Sequence, residues 1–331
     1  MDDGGHGTSC AGIVAGNGSS GSQTGVAPGA QIMAIKVLQA SGSGSEIRVW
    51  NGIQFAVENG AHVLSLSLGW KNWYNPDKAT WRNIMNNTLA AGVIASVAAG
   101  NDGAFNVPPY NVPYNIQTPG NCPSPWLHPD QTLFGGISAV VCVGATQTND
   151  TIAYSSSIGP TTWQTVNPYN DYPYEPEMGL IKPDIVAPGI DVLTLSHANI
   201  SGYKLFGGTS ATTPCVAGVM ALIISKNPDI SPLEISQVIE ETATTLSSTT
   251  VKNNVYGSGL INAISAVNAI NPSGDANCDG IVNVLDTTTI LNYILGQNPD
   301  PFCFNNADIS GDGIINILDV IVLVNIFILS Q

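Results

Sequence analysis

Short, almost wholly apolar runs alternate with longer amphipathic stretches over the first 270 or so residues. QIMAIKVL (31–38), HVLSLSL (62–68), VIASVAA (93–99), AVVCVGA (139–145) and DIVA (184–187) are rich in β-branched residues and lack clean polar alternation. Strands buried on both faces of a parallel sheet show that pattern. Between them, helical periodicity predicts helices over 45–60 with Ser45 as N-cap, over 79–92, after Ser210, and over 231–243. The last carries Ser231 at the N-cap, Pro232 at the first helical position and Glu234 completing a capping box. The pattern predicts an α/β fold of three layers, a mostly parallel sheet with helices on both faces. Segment 103–135, rich in Pro, Asn and aromatic residues, and the stretch from about 159 to 182 have no period and read as long loops.

The pattern changes at NPSGDANCDG (271–280). DANCDGIVNVLD (275–286) and DISGDGIINILD (308–319) are two copies of one motif offset by 33 residues, each leading into an apolar helical run. The expected organisation is a first domain over 1–270, a linker at 271–274 and a small all-α module over 275–331. In each copy the oxygen-bearing positions 1, 3, 5, 7, 9 and 12 surround a Gly at position 6, the spacing by which a loop wraps Ca²⁺. The candidate ligands are Asp275, Asn277, Asp279, the Ile281 carbonyl, Asn283 and Asp286, then Asp308, Ser310, Asp312, the Ile314 carbonyl, Asn316 and Asp319.

Composition narrows the functions. Lys and Arg total 9 against 24 Asp and Glu, a formal net charge of -15, which disfavours nucleic acid and anionic lipid as partners. The most apolar run, 314–329, is interrupted by Asn316, Asp319 and Asn325 and falls short of the roughly 20 residues of a membrane span. Among six cysteines, Cys278 with Cys303 and Cys122 with Cys142 are candidate pairs, and spacing leaves the connectivity open. His62, His128 and His197 have no motif partners and read as structural.

Three further segments carry chemistry. They are His6-Gly7-Thr8-Ser9-Cys10-Ala11-Gly12, Ala98-Ala99-Gly100-Asn101-Asp102 and Gly207-Gly208-Thr209-Ser210-Ala211-Thr212-Thr213-Pro214. Separately, each reads as an ordinary turn or helix start. Together they supply a nucleophile at a helix N-terminus, a base, and an amide for a developing oxyanion.

These segments resemble the histidine, oxyanion-asparagine and serine motifs of the subtilisin-like serine peptidases, and Gly25-Val26-Ala27-Pro28, Ser67-Leu68-Gly69 and Pro183-Asp184-Ile185-Val186-Ala187-Pro188-Gly189 add to the likeness. The resemblance implies that Ser210 is the nucleophile, His6 the general base, and Asn101 with the Ser210 backbone N–H the oxyanion donors. It further implies that Ser67, Leu68 and Gly69 with Ala98, Ala99 and Gly100 wall the substrate cleft, and that Cys10 is a buried thiol near the base. The expected activity is serine-type endopeptidase action on extracellular proteins.

The family's triad aspartate precedes the histidine on a central strand, whereas only five residues precede His6 here. Asp2 and Asp3 match the family's acidic position just ahead of His-Gly-Thr. The chain is accordingly expected to be a piece of a longer, secreted precursor, and inefficient as a peptidase by itself. The alternative is a non-catalytic, calcium-dependent binding or scaffold-assembly protein with a degenerate peptidase domain.

The two calcium motifs, with Asp at position 12, resemble type I dockerin modules, which implies a cohesin-like or cell-surface scaffold partner. The positions that often recognise cohesin are Val284-Leu285 and Ile317-Leu318, apolar where hydroxyl residues are usual.

Overall fold

Four of the five expected strands form one parallel sheet in the computed structural model, which describes residues 2–19, 24–103, 108–199, 202–246 and 251–329. β1 (Val63–Leu66), β2 (Ile94–Ala98), β3 (Val140–Thr146) and β4 (Ile185–Pro188) lie in the order β1-β2-β3-β4. Leu66 stands opposite Val97, Val97 opposite Cys142, and Val143 opposite Ile185. Every residue of β2 and β3 is buried, as their unbroken apolar sequences require.

Five helices frame this sheet: α1 (His6–Ala15), α2 (Glu46–Glu58), α3 (Lys78–Ala90), α4 (Thr209–Lys226) and α5 (Pro232–Glu241). The Ser231–Glu234 capping box forms as its spacing predicts. Ser45 occupies the N-cap of α2 without a side-chain bond, and Asp77 caps α3 by accepting from Thr80 N at 3.0 Å. Val49, Ile53 and Ala56 of α2 and Trp81 and Met85 of α3 share a buried cluster with Ala95 and Val97 of β2.

Residues 31–38 form no strand, contrary to the sequence expectation. No described strand hydrogen-bonds to them, and an apolar run without a ladder partner cannot be a sheet strand. Ile35, Val37 and Leu38 still pack against the core, while Ile32 and Met33 are exposed. The sequence reading also passed over a hairpin. β5 (Val192–Leu195) pairs antiparallel with β6 (Tyr203–Phe206) and clasps α1 through Thr194 Oγ1 donating to Ser9 O at 2.6 Å.

Asp184 of the Pro183–Gly189 motif, with Lys182 just before it, anchors a buried set of charges. Asp184 accepts from Lys182 Nζ at 2.6 Å and Lys252 Nζ at 3.2 Å, and Lys252 also donates to Glu240 at 2.6 Å. All four side chains are almost wholly excluded from solvent. Burial opposes ionisation of Asp184, but the two ammonium groups hold its carboxyl below the ordinary value. Glu240 has one buried oxygen without a described partner, and burial pushes its carboxyl up to about 7.

The chain divides into two compact units, residues 1–221 with 231–263 and residues 222–230 with 264–331. Beyond α6 (Ala263–Asn268), the second holds α7 (Val284–Ile294), α8 (Phe304–Ala307) and α9 (Ile317–Leu329). Its core includes Ile290 and Leu323, equivalent positions of the two repeats, with Ala276 and Ala307. Cys278 and Cys303 are disulfide-bonded. Cys122 and Cys142 are not joined: both are free, buried thiols, so that candidate pairing is corrected.

Candidate active site and calcium loops

Ser210 is the second residue of α4, where backbone N–H groups lack intrahelical acceptors. The chain enters the helix through Gly208 at φ 77°, and a Cβ there would lie 2.9 Å from Asn101 Oδ1. Asn101 Oδ1 accepts from Thr209 N at 3.0 Å and Thr209 Oγ1 at 3.3 Å. With its oxygen engaged, the asparagine has Nδ2 left as a donor, and no described hydrogen bond uses it.

Pro214 explains how the serine backbone is held. An α-helix needs an N–H at residue 214 for the carbonyl of residue 210, and proline has none. The Ser210 carbonyl instead accepts from Ser67 Oγ at 3.0 Å and Cys10 Sγ at 3.6 Å. One helix defect thus ties the end of β1 and the His6 helix to the serine. Cys10 Sγ also lies 3.7 Å from His6 Nδ1. Burial pushes the Cys10 thiol up to about 11, so it stays neutral.

His6 opens α1 behind Gly5, whose φ of 78° suits a residue without a Cβ. Gly5 has no side chain to cap the helix, and Asp2 does so instead. Its carboxylate accepts from Gly5 N at 2.9 Å and from Thr8 N and Thr8 Oγ1 at 2.7 Å each. Burial opposes ionisation, but these bonds hold the carboxyl well below the usual range. Asp3 pairs with Lys36 at 2.7 Å. Neither aspartate hydrogen-bonds the imidazole, and no described carboxylate does.

The His6 ring meets Phe206 edge to face at 5.2 Å. Burial lowers its pKa, the Asp2 charge opposes that shift, and Lys204 adds to it. The ring is therefore neutral near pH 7, the state a general base needs. No described hydrogen bond joins it to the Ser210 hydroxyl; such contacts are often loose before substrate binds.

Because β1 and β2 are parallel neighbours, Ser67, Leu68 and Gly69 leave the sheet beside Ala98, Ala99 and Gly100. The sequence reading did not single out Lys71, Asp102 and Gln117. Asp102 is buried beside Asn101, with Lys71 Nζ at 2.7 Å from one oxygen and Gln117 Nε2 at 2.7 Å from the other. The adjacency of Asp102 to Asn101 was the available signal.

In the second unit, Gly280 and Gly313 take φ of 82° and 79° at position 6 of their loops. Asp275 accepts from Asp279 N and Gly280 N, and Asp308 from Asp312 N and Gly313 N. At position 12, Asp286 accepts from Asn277 N and Asn283 N, and Asp319 from Ser310 N and Asn316 N. These bonds fix the carboxylates at positions 1 and 12 beside both left-handed turns, and although the described residues bring no three acidic side chains into one cluster, every candidate ligand in each loop offers oxygen, chemistry that suits Ca²⁺. Burial, then the charges of Asp286 and Asp279, raise the Asp275 carboxyl above its ordinary value, a crowding that a cation would relieve.

A parallel sheet bearing a serine at one helix start, a histidine at another and an amide beyond a strand end defines an α/β protein of the serine-hydrolase class. Comparison with known proteins narrows the class. The chain belongs to the Subtilase family, whose model matches residues 1–259, and the Dockerin type I domain matches residues 273–327. Alkaline elastase YaB of Bacillus sp. (strain YaB) is 36% identical over 265 residues, covering 80% of this chain and 56% of that protein. Subtilisin Savinase of Lederbergia lenta is 36% identical over 267 residues, 80% of this chain and 78% of that protein. Serine protease AprX of Bacillus subtilis (strain 168) is 30% identical over 296 residues, 80% of this chain and 58% of that protein. The chain thus spans little more than half the length of some relatives. No described helix is long and apolar enough to cross a membrane.

Proposed function

We propose that this protein is a serine endopeptidase acting on extracellular proteins, with a peptidase domain over 1–270, a linker at 271–274 and a calcium-binding docking module over 275–331. Ser210 Oγ attacks the peptide carbonyl, and neutral His6 takes its proton and later delivers it to the leaving amine. Asn101 Nδ2 and the Ser210 N–H receive the oxyanion, at the end of α4 where the helix dipole favours negative charge.

The observation that supports this best is the Ser210 carbonyl, freed by Pro214 and held jointly by Ser67 and Cys10. That bonding brings the serine, histidine and cleft segments to one place. A fluorophosphonate probe on the full chain is expected to label Ser210, and Ser210→Ala to abolish the label. The His6 ring has no described carboxylate partner, so labelling is expected about 10⁴-fold slower than with a complete triad, a loss of the size subtilisin itself shows without its aspartate. Exposed Val284, Leu285, Ile317 and Leu318 in the second unit favour the second reading, a non-catalytic calcium-dependent binding or scaffold-assembly protein. Equal labelling of both chains would remove Ser210 as the nucleophile and leave the binding reading in place of catalysis.

In the module, Asp275, Asn277, Asp279, Asn283, Asp286 and the Ile281 carbonyl would hold one Ca²⁺. Asp308, Ser310, Asp312, Asn316, Asp319 and the Ile314 carbonyl would hold a second. A bound ion there would supply structure and not chemistry: the loop carboxylates would be neutralised and the helix that follows fixed. Exposed Val284, Leu285, Ile317 and Leu318 suit a cohesin-like or cell-surface scaffold partner with an apolar face.

A further inference from the structure

A glutamine lies between the two segments assigned to the cleft walls. A Cβ on Gly69 would meet Gln117 Oε1 at 2.9 Å and Gln117 Cβ at 3.0 Å, and a Cβ on Gly100 would meet Gln117 Cγ at 2.6 Å and Cδ at 2.8 Å. The two glycines therefore leave the space that the Gln117 side chain fills. Its backbone is fixed by Gln117 N donating to Ala99 O at 2.9 Å and by the paired bonds between Thr118 and Trp70.

The amide is fixed as well. Gln117 Nε2 donates to Asp102 Oδ2, and an ionised carboxylate only accepts, so the atom turned toward Gly69 is the oxygen. Lys71 occupies the other carboxylate oxygen, which neutralises the charge. No described donor reaches Gln117 Oε1.

We infer that Gln117 is a specificity-determining residue that closes the inner end of the slot and offers one acceptor to the substrate side chain on the acyl side of the scissile bond. The side chain selected is short, uncharged and donor-bearing: serine, threonine or asparagine. A large aromatic ring would have to displace a packed and hydrogen-bonded group. A cationic side chain would meet a carboxylate already paired with Lys71. This inference rests on the proposed placement of the cleft walls.

The test is calorimetric binding to the full chain of acetyl tetrapeptide amides that differ only in the last residue: asparagine, alanine or phenylalanine. The asparagine peptide is expected to bind about tenfold tighter than the phenylalanine peptide, the worth of one good hydrogen bond plus steric exclusion. Gln117→Gly should raise phenylalanine affinity to or above that of asparagine. Gln117→Met, which keeps the bulk, should lose the preference of asparagine over alanine while still excluding phenylalanine. Equal affinities in the unaltered chain, or no binding by any peptide, would overturn the assignment. Ser210 labelling by the fluorophosphonate is read separately, so selective binding without labelling would overturn the catalytic reading alone.

Discussion

Each calcium loop draws its candidate ligands from twelve consecutive residues, 275–286 or 308–319, and its internal bonds span no more than nine positions. The candidate active site joins residues 6, 101 and 210, and its decisive contacts, Cys10 and Ser67 on the Ser210 carbonyl, span 200 and 143 positions. A local site is specified by spacing, because the turn that shapes it is encoded in the same few residues. A distributed site needs the whole sheet to bring its parts together. The two regions should therefore fail differently when perturbed.

Calcium removal gives the largest contrast. With two sites, each adding about 4 kcal/mol when the ion stands at 1,000 times its dissociation constant, a chelator should lower the module's calorimetric transition by the widest margin of any change considered. In a chain carrying Asp275→Ala and Asp308→Ala that shift should vanish. An equal shift in the variant would place the relevant calcium elsewhere.

The first unit should break at its buried charges. Lys252→Met leaves Glu240 without its ammonium and Asp184 with only Lys182, and removing one partner of a buried ion set costs about 3–5 kcal/mol. Urea unfolding of the full chain at pH 8 reads this loss. A loss under 1 kcal/mol would mean that the lysine adds little beyond its packing.

The pH dependence is a smaller effect at the same place. The folded state binds the Glu240 proton more tightly than the unfolded chain, because burial raises the carboxyl from 4.5 to about 7. That contribution is complete below about 4.5 and is lost as the pH rises to about 7. Glu240→Gln should therefore flatten the decline of stability between those values. An unchanged slope would assign the decline to another group.

Legibility in the sequence followed the same division. β1 to β4 were readable because burial on both faces leaves unbroken apolar runs, and the α5 capping box because its three residues act locally. Residues 31–38 carry the same apolar signal yet form no strand, since a strand exists only with a partner and periodicity does not report one. The β5–β6 hairpin was missed although Val192–Leu195 and Tyr203–Phe206 are short runs close together in the sequence. At the candidate site, His6, Asn101 and Ser210 were legible only jointly, because each segment alone reads as an ordinary turn or helix start and the resemblance to a family rests on their conjunction. Gln117 sits in a segment without period, and its place between Gly69 and Gly100 emerges only in three dimensions.

The smallest predicted effect concerns the bond that unites the distributed site. Ser67→Ala leaves the Ser210 carbonyl with only the weak Cys10 thiol donor, a loss of about 1 kcal/mol that should slow fluorophosphonate labelling several-fold. Pro214→Ala restores an N–H at the position where the helix would satisfy that carbonyl itself. If the proline serves to direct the carbonyl to Ser67, the two changes are coupled, and Ser67→Ala should cost much less in the Pro214→Ala background. Additive effects on labelling would show that Ser67 and Pro214 act independently. The first unit's site would then owe its geometry to the sheet alone, without the bond across 143 positions.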